Sequence, residues 1–249
     1  MKHVKRLSLL LVLVFAGALL SAQTADDVIA KYVDAIGGKK TISKIKSMYV
    51  EMNMDLMGME GTSKTTTLNG KGVKQEVDIM GSTVVNCITD EGGWTINPMM
   101  GGTSPIDMTE DQYNAARDQI HVGGPFVDYA EKGYKVELTG DATVGNAPAH
   151  KIKMTSPDNV VTEYYFDKDS GYLVRVKQQG DMGETTSTFS DYRKNDGYAT
   201  AYKIDIDAGG QYQISANITK VELNKPVDES IFNKPQKSPI QGSAGDPNP

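Results

Sequence analysis

The sequence is poor in the residues that build metal sites and disulfides. It contains one cysteine and three histidines in 249 residues. Because Cys87 is alone, no internal disulfide can form, and it lies too far along the chain to be a lipid-anchored N-terminal cysteine. His121 and His150 are far apart and have no partner at metal-ligand spacing. The cysteine and the histidines therefore indicate no metal site, and no cofactor is predicted.

Motifs of catalysis are also missing. There is no G-x-S-x-G element, no Walker A loop and no dinucleotide-binding fingerprint. Cys87 sits in an apolar stretch without a basic neighbour to activate its thiol, which is typical of a small buried side chain. Residues 167–171 (DKDSG) resemble the start of a calcium loop, but Gln178 stands where the loop needs a glutamate. A hairpin turn explains these residues better than a calcium loop. No enzyme activity is predicted, because even a hydrolase would need a nucleophile–base pair that the sequence does not show.

Long hydrophobic runs are limited to one, at the start. Residues 1–22 combine basic residues, an uncharged apolar run at 9–20 and a small-residue end near Ala22. This layout is typical of a secretory signal peptide, and the run is too short to span a membrane. Its removal takes away three basic residues and no acid, so the net charge falls from −6 to −9. We expect an exported, soluble, periplasmic protein.

The remaining chain is acidic and lacks clusters of lysine and arginine, which argues against nucleic acid as a partner. No second apolar run is long enough for a transmembrane span. Residues 235–249 are rich in proline, glycine and serine, a composition that predicts a disordered tail. One domain is therefore expected over residues 23–234.

Two short helices are predicted within this domain. Thr24 and Asp27 form a capping-box pattern before apolar residues at helical spacing, and Gly37 ends that helix. A second helix is expected over residues 110–120, capped by Thr109.

Most of the remaining sequence alternates apolar and polar residues with period two, broken by glycine-bearing turns. The pattern predicts an antiparallel meander of about ten strands. The signal segment holds much of the apolar content, so little is left to cover such a sheet. We therefore expect a mainly β fold, a curved antiparallel sheet forming an unclosed β-barrel, with a small helical lid over an apolar cavity.

Methionines are concentrated in one segment of the sequence, at Met52, Met54, Met57 and Met59. Thioethers are soft ligands, so a Cu(I) site is one interpretation. Ordinary core packing is a second interpretation. The third is an adaptable apolar cavity, because unbranched methionines repack around ligands of varied shape.

Several stretches together resemble the LolA-like family of outer-membrane lipoprotein-sorting proteins, in the form common among Bacteroidetes. They are residues 25–38 (ADDVIAKYVDAIGG), 128–140 (DYAEKGYKVELTG), 164–174 (YYFDKDSGYLV) and 226–232 (PVDESIF). The resemblance implies an unclosed barrel with a helical lid over a hydrophobic cavity that shields acyl chains. The arginine that holds the lid in the family's type member matches no position in this sequence.

We therefore predict a non-enzymatic periplasmic carrier, a chaperone for lipid or lipoprotein acyl chains on their way to the outer membrane. Membrane-bound donor or acceptor proteins are expected as further partners. The alternative is a cell-envelope sensor or protein-binding module that carries no lipid. The predicted ligand-binding residues are Val50, Met52, Met54, Leu56, Val77 and Ile79, with Trp94 and Ile96 near the rim. The predicted inner face of the lid comprises Ile29, Val33 and Ile36.

Overall fold

The computed structural model describes residues 23–180 and 183–236. The predicted signal peptide (1–22) and all but the first two residues of the predicted tail (235–249) lie outside the described residues. Thirteen strands form one antiparallel sheet, in the spatial order β6-β5-β4-β3-β2-β1-β13-β12-β11-β10-β9-β8-β7. Within the described residues the end strands β6 and β7 do not pair with each other, so the sheet is unclosed.

The strands are long near the middle of the sheet and very short at its β6 edge. They are β1 Ser47–Leu56, β2 Met59–Leu68, β3 Gly72–Ile79, β4 Ser82–Thr89, β5 Gly93–Ile96, β6 Ile106–Asp107, β7 Lys135–Val144, β8 Ala147–Thr155, β9 Val161–Asp167, β10 Leu173–Gly180, β11 Gly183–Asn195, β12 Tyr198–Ala208 and β13 Gln213–Leu223. The pairing of β1 with β13 joins the two halves of the chain, β1–β6 and β7–β13, into one surface.

Both predicted helices are present. Helix α1 spans Ala25–Ala35, and Thr24 and Asp27 make the predicted capping box. A short helix α2 follows at Lys39–Ile42. Helix α3 spans Glu110–Ala116 with Thr109 as its cap, and continues as a 3₁₀ helix, Arg117–Ile120. Further 3₁₀ helices lie at Pro98–Met100, Gly124–Phe126 and Glu229–Phe232.

The α-helices cover one face of the sheet, which we call the helix-bearing face. Helix α1 packs on β7–β10, where Val28 and Val33 join Ile152 and Phe166 in the largest apolar cluster. The segment that includes α3 lies over β3 and β4, with Ile120 against Val73 and Ile88. The core thus lies beneath the helices rather than along the whole sheet.

The opposite, outer face has its own small cluster near the β6 edge. Cys87 and Trp94 pack there against Phe232 of the C-terminal 3₁₀ helix. The carbonyl of Phe232 accepts hydrogen bonds from the Trp94 indole N–H (3.0 Å) and the Cys87 thiol (3.4 Å). Burial raises the pKa of that thiol to about 11.

The unclosed antiparallel sheet with few helices confirms the predicted fold class, but the expected strand number of about ten was too low. Strand β2 is hard to predict from its sequence, MEGTSKTTTL, because this shows little apolar alternation. Its threonines are β-branched and favour a strand without marking an apolar face. Strands β5 and β6 have four and two residues, too few to show a period.

Candidate functional site: an apolar surface on the helix-bearing face

A cavity of about 400 Å³ lies on the helix-bearing face, between strands β8–β12 and the segment 114–126. We call it the covered cavity. Its wall follows the strand alternation, so that every second residue of β9 and β11 points into it, while a register shift after Leu173 makes Leu173 and Val176 the lining residues of β10. Its lining includes Tyr32, Phe126, Tyr134, Met154, Thr162, Tyr164, Leu173, Val176, Ser187, Phe189 and Tyr198.

Phe126 anchors the segment that closes the covered cavity. Its ring centroid lies 5.0 Å from that of Tyr32, 4.8 Å from that of Tyr164 and 5.4 Å from that of Phe166, each at a steep angle. Such edge-to-face contacts add to the free energy of burial. Gly123, with φ of 89°, supplies the left-handed backbone that turns the chain toward this aromatic cluster.

Polar contacts hold the segment of α3 over the mouth of the covered cavity. The Arg117 guanidinium lies 2.7 Å from the Asp158 carboxylate in the β8–β9 turn. The Tyr134 hydroxyl donates a hydrogen bond to Asp118, and burial together with that contact raises the pKa of Tyr134 well above its usual value. We call the Arg117–Asp158 and Tyr134–Asp118 contacts the mouth contacts.

Burial keeps several polar side chains of the wall uncharged. It lowers the pKa of His121, so this imidazole is neutral at pH 7, and it raises the pKa of Tyr198 to about 12. Among residues 23–180 and 183–236, no group of three or more His, Cys, Asp or Glu side chains is placed to hold a metal ion. This wall suits an apolar ligand better than a charged one.

Six of the eight predicted ligand-binding residues lie together, outside the covered cavity. Their side chains fall on the helix-bearing face of β1 and β3, beside isoleucines of β12 and β13. We call this surface the aliphatic row: Val50, Met52, Met54, Leu56, Val77, Ile79, Ile204, Ile206, Ile214 and Ile218. In the described part of the chain, none of these residues belongs to the clusters packed beneath the helices.

The aliphatic row and the covered cavity form one continuous surface. Phe189, in the cavity wall, is the cross-strand partner of Ile204. Ile204 pairs with Ala216, and Ala216 pairs with Met54. Directly paired residues share a face and have Cβ atoms about 5 Å apart. An apolar track therefore runs across four adjacent strands, from β11 to β1, without a charged side chain along this line of partners.

Trp94 and Ile96 are not part of that surface, which corrects their predicted place near its rim. Trp94 pairs with Cys87 and Ile96 with Val85, and these four side chains lie on the outer face, under Phe232. Successive residues of a strand point to opposite faces of the sheet, so an error of one position assigns every side chain of the strand to the wrong face. The period of so short a strand cannot determine which face is covered.

The predicted lid residues lie at buried positions. Ile29, Val33 and Ile36 are 2%, 4% and 1% exposed, in the cluster with Phe126 and Phe166. Helix α1 therefore covers the aromatic end of the sheet and leaves the aliphatic row open.

The residues of the covered cavity itself were not predicted. The sequence carries a signal for them, the aromatic alternation Tyr164–Phe166 with Phe189 two strands away, but nothing in it shows that these strands lie beneath a helix.

The arrangement of one unclosed antiparallel sheet with helices over one face is the LolA-like fold. A LolA superfamily protein from Nitrosomonas europaea is similar, with TM-score 0.57 and 14% identity over 86% of this chain and 99% of that one. A domain named for outer membrane lipoprotein sorting, from Vibrio parahaemolyticus, gives TM-score 0.54 and 15% identity over 83% and 97%. A DUF1329 family protein from Desulfovibrio piger gives 0.54 and 11% over 84% and 95%.

At these identities the similarity establishes the fold alone. No protein-family model and no curated protein matches the sequence. No helix among the described residues is long and apolar enough to cross a membrane.

Proposed function

We propose that this protein is a non-enzymatic carrier in the periplasm that binds lipid or lipoprotein acyl chains for sorting to the outer membrane. The observation that supports this most is the continuity between the covered cavity and the aliphatic row. A long flexible chain matches such a surface, because one end can be enclosed while the rest lies along the open strands.

The free energy of burial is sufficient for such binding without an ionic contact. Each methylene group removed from water contributes about 0.8 kcal/mol. The half-buried Met52 and Met54 have unbranched side chains that can adjust to chains of different shape. The predicted signal peptide, which gives the periplasmic location, remains part of the proposal.

The proposal is tested by mass spectrometry of organic extracts from the purified protein, followed by titration with a fluorescent long-chain fatty acid. We expect lipid to co-purify and the fluorescent acid to bind. Met54→Glu places a carboxylate in the middle of the aliphatic row and should weaken binding at least about tenfold, because a charge would have to be desolvated.

Asn53→Glu is the matched control. Asn53 neighbours Met54, but its side chain is exposed on the outer face, so the same charge there should leave binding unchanged. Equal loss in both variants, or an empty protein that does not bind the fluorescent acid, would refute the carrier function.

A second function, binding of a protein segment, is favoured by one separate feature. An apolar groove between α1 and residues 126–131 is lined by Ile29, Ala30 and Val33 and rimmed by Asp26 and Glu131. Its acidic rim would complement an apolar segment with basic flanks. A sensor of this kind would capture such a peptide while its extracts contain no lipid.

A further inference from the structure

The methionines of this protein are distributed unusually. Among the buried apolar residues only one, Met154, is a methionine. Of the seven large hydrophobic residues that are exposed in the described part of the chain, five are methionines: Met57, Met59, Met80, Met99 and Met100. We call these five the methionine rim. A residue kept out of the core and displayed to solvent is not serving as packing material.

The backbone at two of these positions makes packing or turn formation an inadequate explanation. Met57 and Met80 have φ of 54° and 55°, each followed by a glycine that is also left-handed. Hairpin turns of this form favour asparagine, aspartate or glycine at the first position, because other side chains are strained there. Met80 is 79% exposed, so no burial offsets that strain.

Sheet pairing brings the members of the rim to one end of the molecule. Gly61 of β2 pairs with Ile79 of β3, so Met80 follows this pair directly in the β3–β4 turn, and Met59 lies two residues beyond it on β2, diagonal to Met80. Adjacent strands are about 4.8 Å apart, which two methionine side chains readily span. The 3₁₀ helix Pro98–Met100 packs beside β4, and the pairing of Ile96 with Val85 directs it toward the β3–β4 turn. Met80 therefore lies between Met59 on one side and the 3₁₀ helix on the other.

The charge around the rim selects a cation. A depression next to it is lined by Asp55, Glu60 and Asp78 and contains no basic side chain. Such a surface attracts positive ions and opposes anionic lipids or peptides. In the described residues the one thiol does not compete as a ligand, because Cys87 is 0% exposed on the outer face.

We propose that the methionine rim binds Cu(I) through the thioethers of Met59 and Met80 and one from Met99 or Met100. Thioethers are soft ligands that select Cu(I) over harder divalent ions. The four methionines that lie close together in the sequence fall into two groups. Met52 and Met54 belong to the aliphatic row, whereas Met57 and Met59 belong to the methionine rim with Met80, Met99 and Met100. Met59 is the cross-strand partner of Leu56, so the proposed site borders the end of the aliphatic row, but none of its ligands is a member of that row and it does not depend on acyl-chain binding.

The site is tested by titrating the full protein with Cu(I) alone, without oxygen, in competition with a chromophoric chelator. We expect one equivalent to bind, and Met80→Leu to weaken the affinity at least about tenfold. Leucine is apolar and of similar volume, so circular dichroism should be unchanged. Met52→Leu is the matched control, because Met52 faces the aliphatic row, and it should bind Cu(I) as the wild type does.

Selective labelling of methionine methyl groups gives a second readout. On addition of Ag(I), a redox-inert analogue, the NMR signals of Met59 and Met80 should shift while that of Met154 stays in place. Cu(I) binding that survives Met80→Leu, or no binding against the chelator, would overturn the proposal. So would a rim that instead binds phosphatidylcholine vesicles in the absence of copper and loses this with Met80→Leu.

Discussion

The two ends of the helix-bearing face are built on the same strand alternation but differ in side chains and cover. Over β8–β11 the residues are largely aromatic and lie beneath α1 and the segment 121–126, as Phe166 does at 0% exposure. In the aliphatic row, over β1, β3, β12 and β13, they are aliphatic and mostly half-buried, and none belongs to the clusters packed beneath the helices. Met54 and Ile204 are typical of this second region.

The difference shows how one sheet can combine a rigidly packed region with a region that is open to a ligand. Large rings interlock and fix the covered end, because Phe126 contacts three other rings. The open end has flexible or branched aliphatic side chains that belong to none of the clusters beneath the helices. Densely packed regions contribute more to the stability of a fold than loosely packed ones. The same substitution should therefore lower the free energy of unfolding more at the covered end than at the open end.

The largest expected effect comes from the same truncation made at each end. Ile152→Ala removes a side chain that is 0% exposed beneath α1, and it should lower the free energy of unfolding by about 2–5 kcal/mol. Ile204→Ala in the aliphatic row should lower the free energy of unfolding by roughly 1 kcal/mol. This side chain is only half-buried, so its truncation removes less buried apolar surface and leaves no enclosed cavity. Denaturant unfolding followed by circular dichroism measures both. Equal costs would remove the distinction between the ends.

A smaller effect is expected at alkaline pH, from Tyr198 at the covered end. Burial raises the pKa of Tyr198 to about 12, whereas an unfolded tyrosine titrates near 10. The folded chain holds this proton more tightly, so its contribution is complete below about pH 10 and is lost as the pH rises toward 12. The loss should be on the order of 2 kcal/mol. Tyr198→Phe should flatten this part of the stability curve; an unchanged slope would assign it to other groups.

The sequence predicts the fold well because period-two alternation and glycine turns are local signals. The capping boxes at Thr24 and Thr109 are likewise local and are both confirmed. The shared face of the six residues on β1 and β3 follows from the same alternation. Their role as a ligand surface is still a prediction, which Met54→Glu addresses.

The features that the sequence did not predict depend on contacts between residues far apart in the chain. Which face of β5 is covered is decided by Phe232, more than a hundred residues further on, and this reversed the expected position of Trp94. The covered cavity exists because residues 114–126 fold back over β8–β11, which no local pattern encodes. The methionine rim likewise requires the register that places the β3–β4 turn, with Met80, at the same end of the sheet as Met59.

The smallest expected effect on stability concerns the mouth contacts, which set entry to the covered end. Arg117 and Asp158 are 31% and 28% exposed, so solvent screens their attraction, and Arg117→Ala should cost no more than about 1 kcal/mol. Its effect on ligand kinetics should be larger. Release of a bound fluorescent fatty acid, followed by stopped flow, should accelerate several-fold in Arg117→Ala and also in wild type at high salt, because both weaken the same ion pair. Ile204→Ala, at the open end, should change the affinity for that acid but not its dependence on salt. If release is equally fast with and without Arg117, the acyl chain leaves along the aliphatic row, and the covered cavity is closed by Phe126 rather than by the mouth contacts.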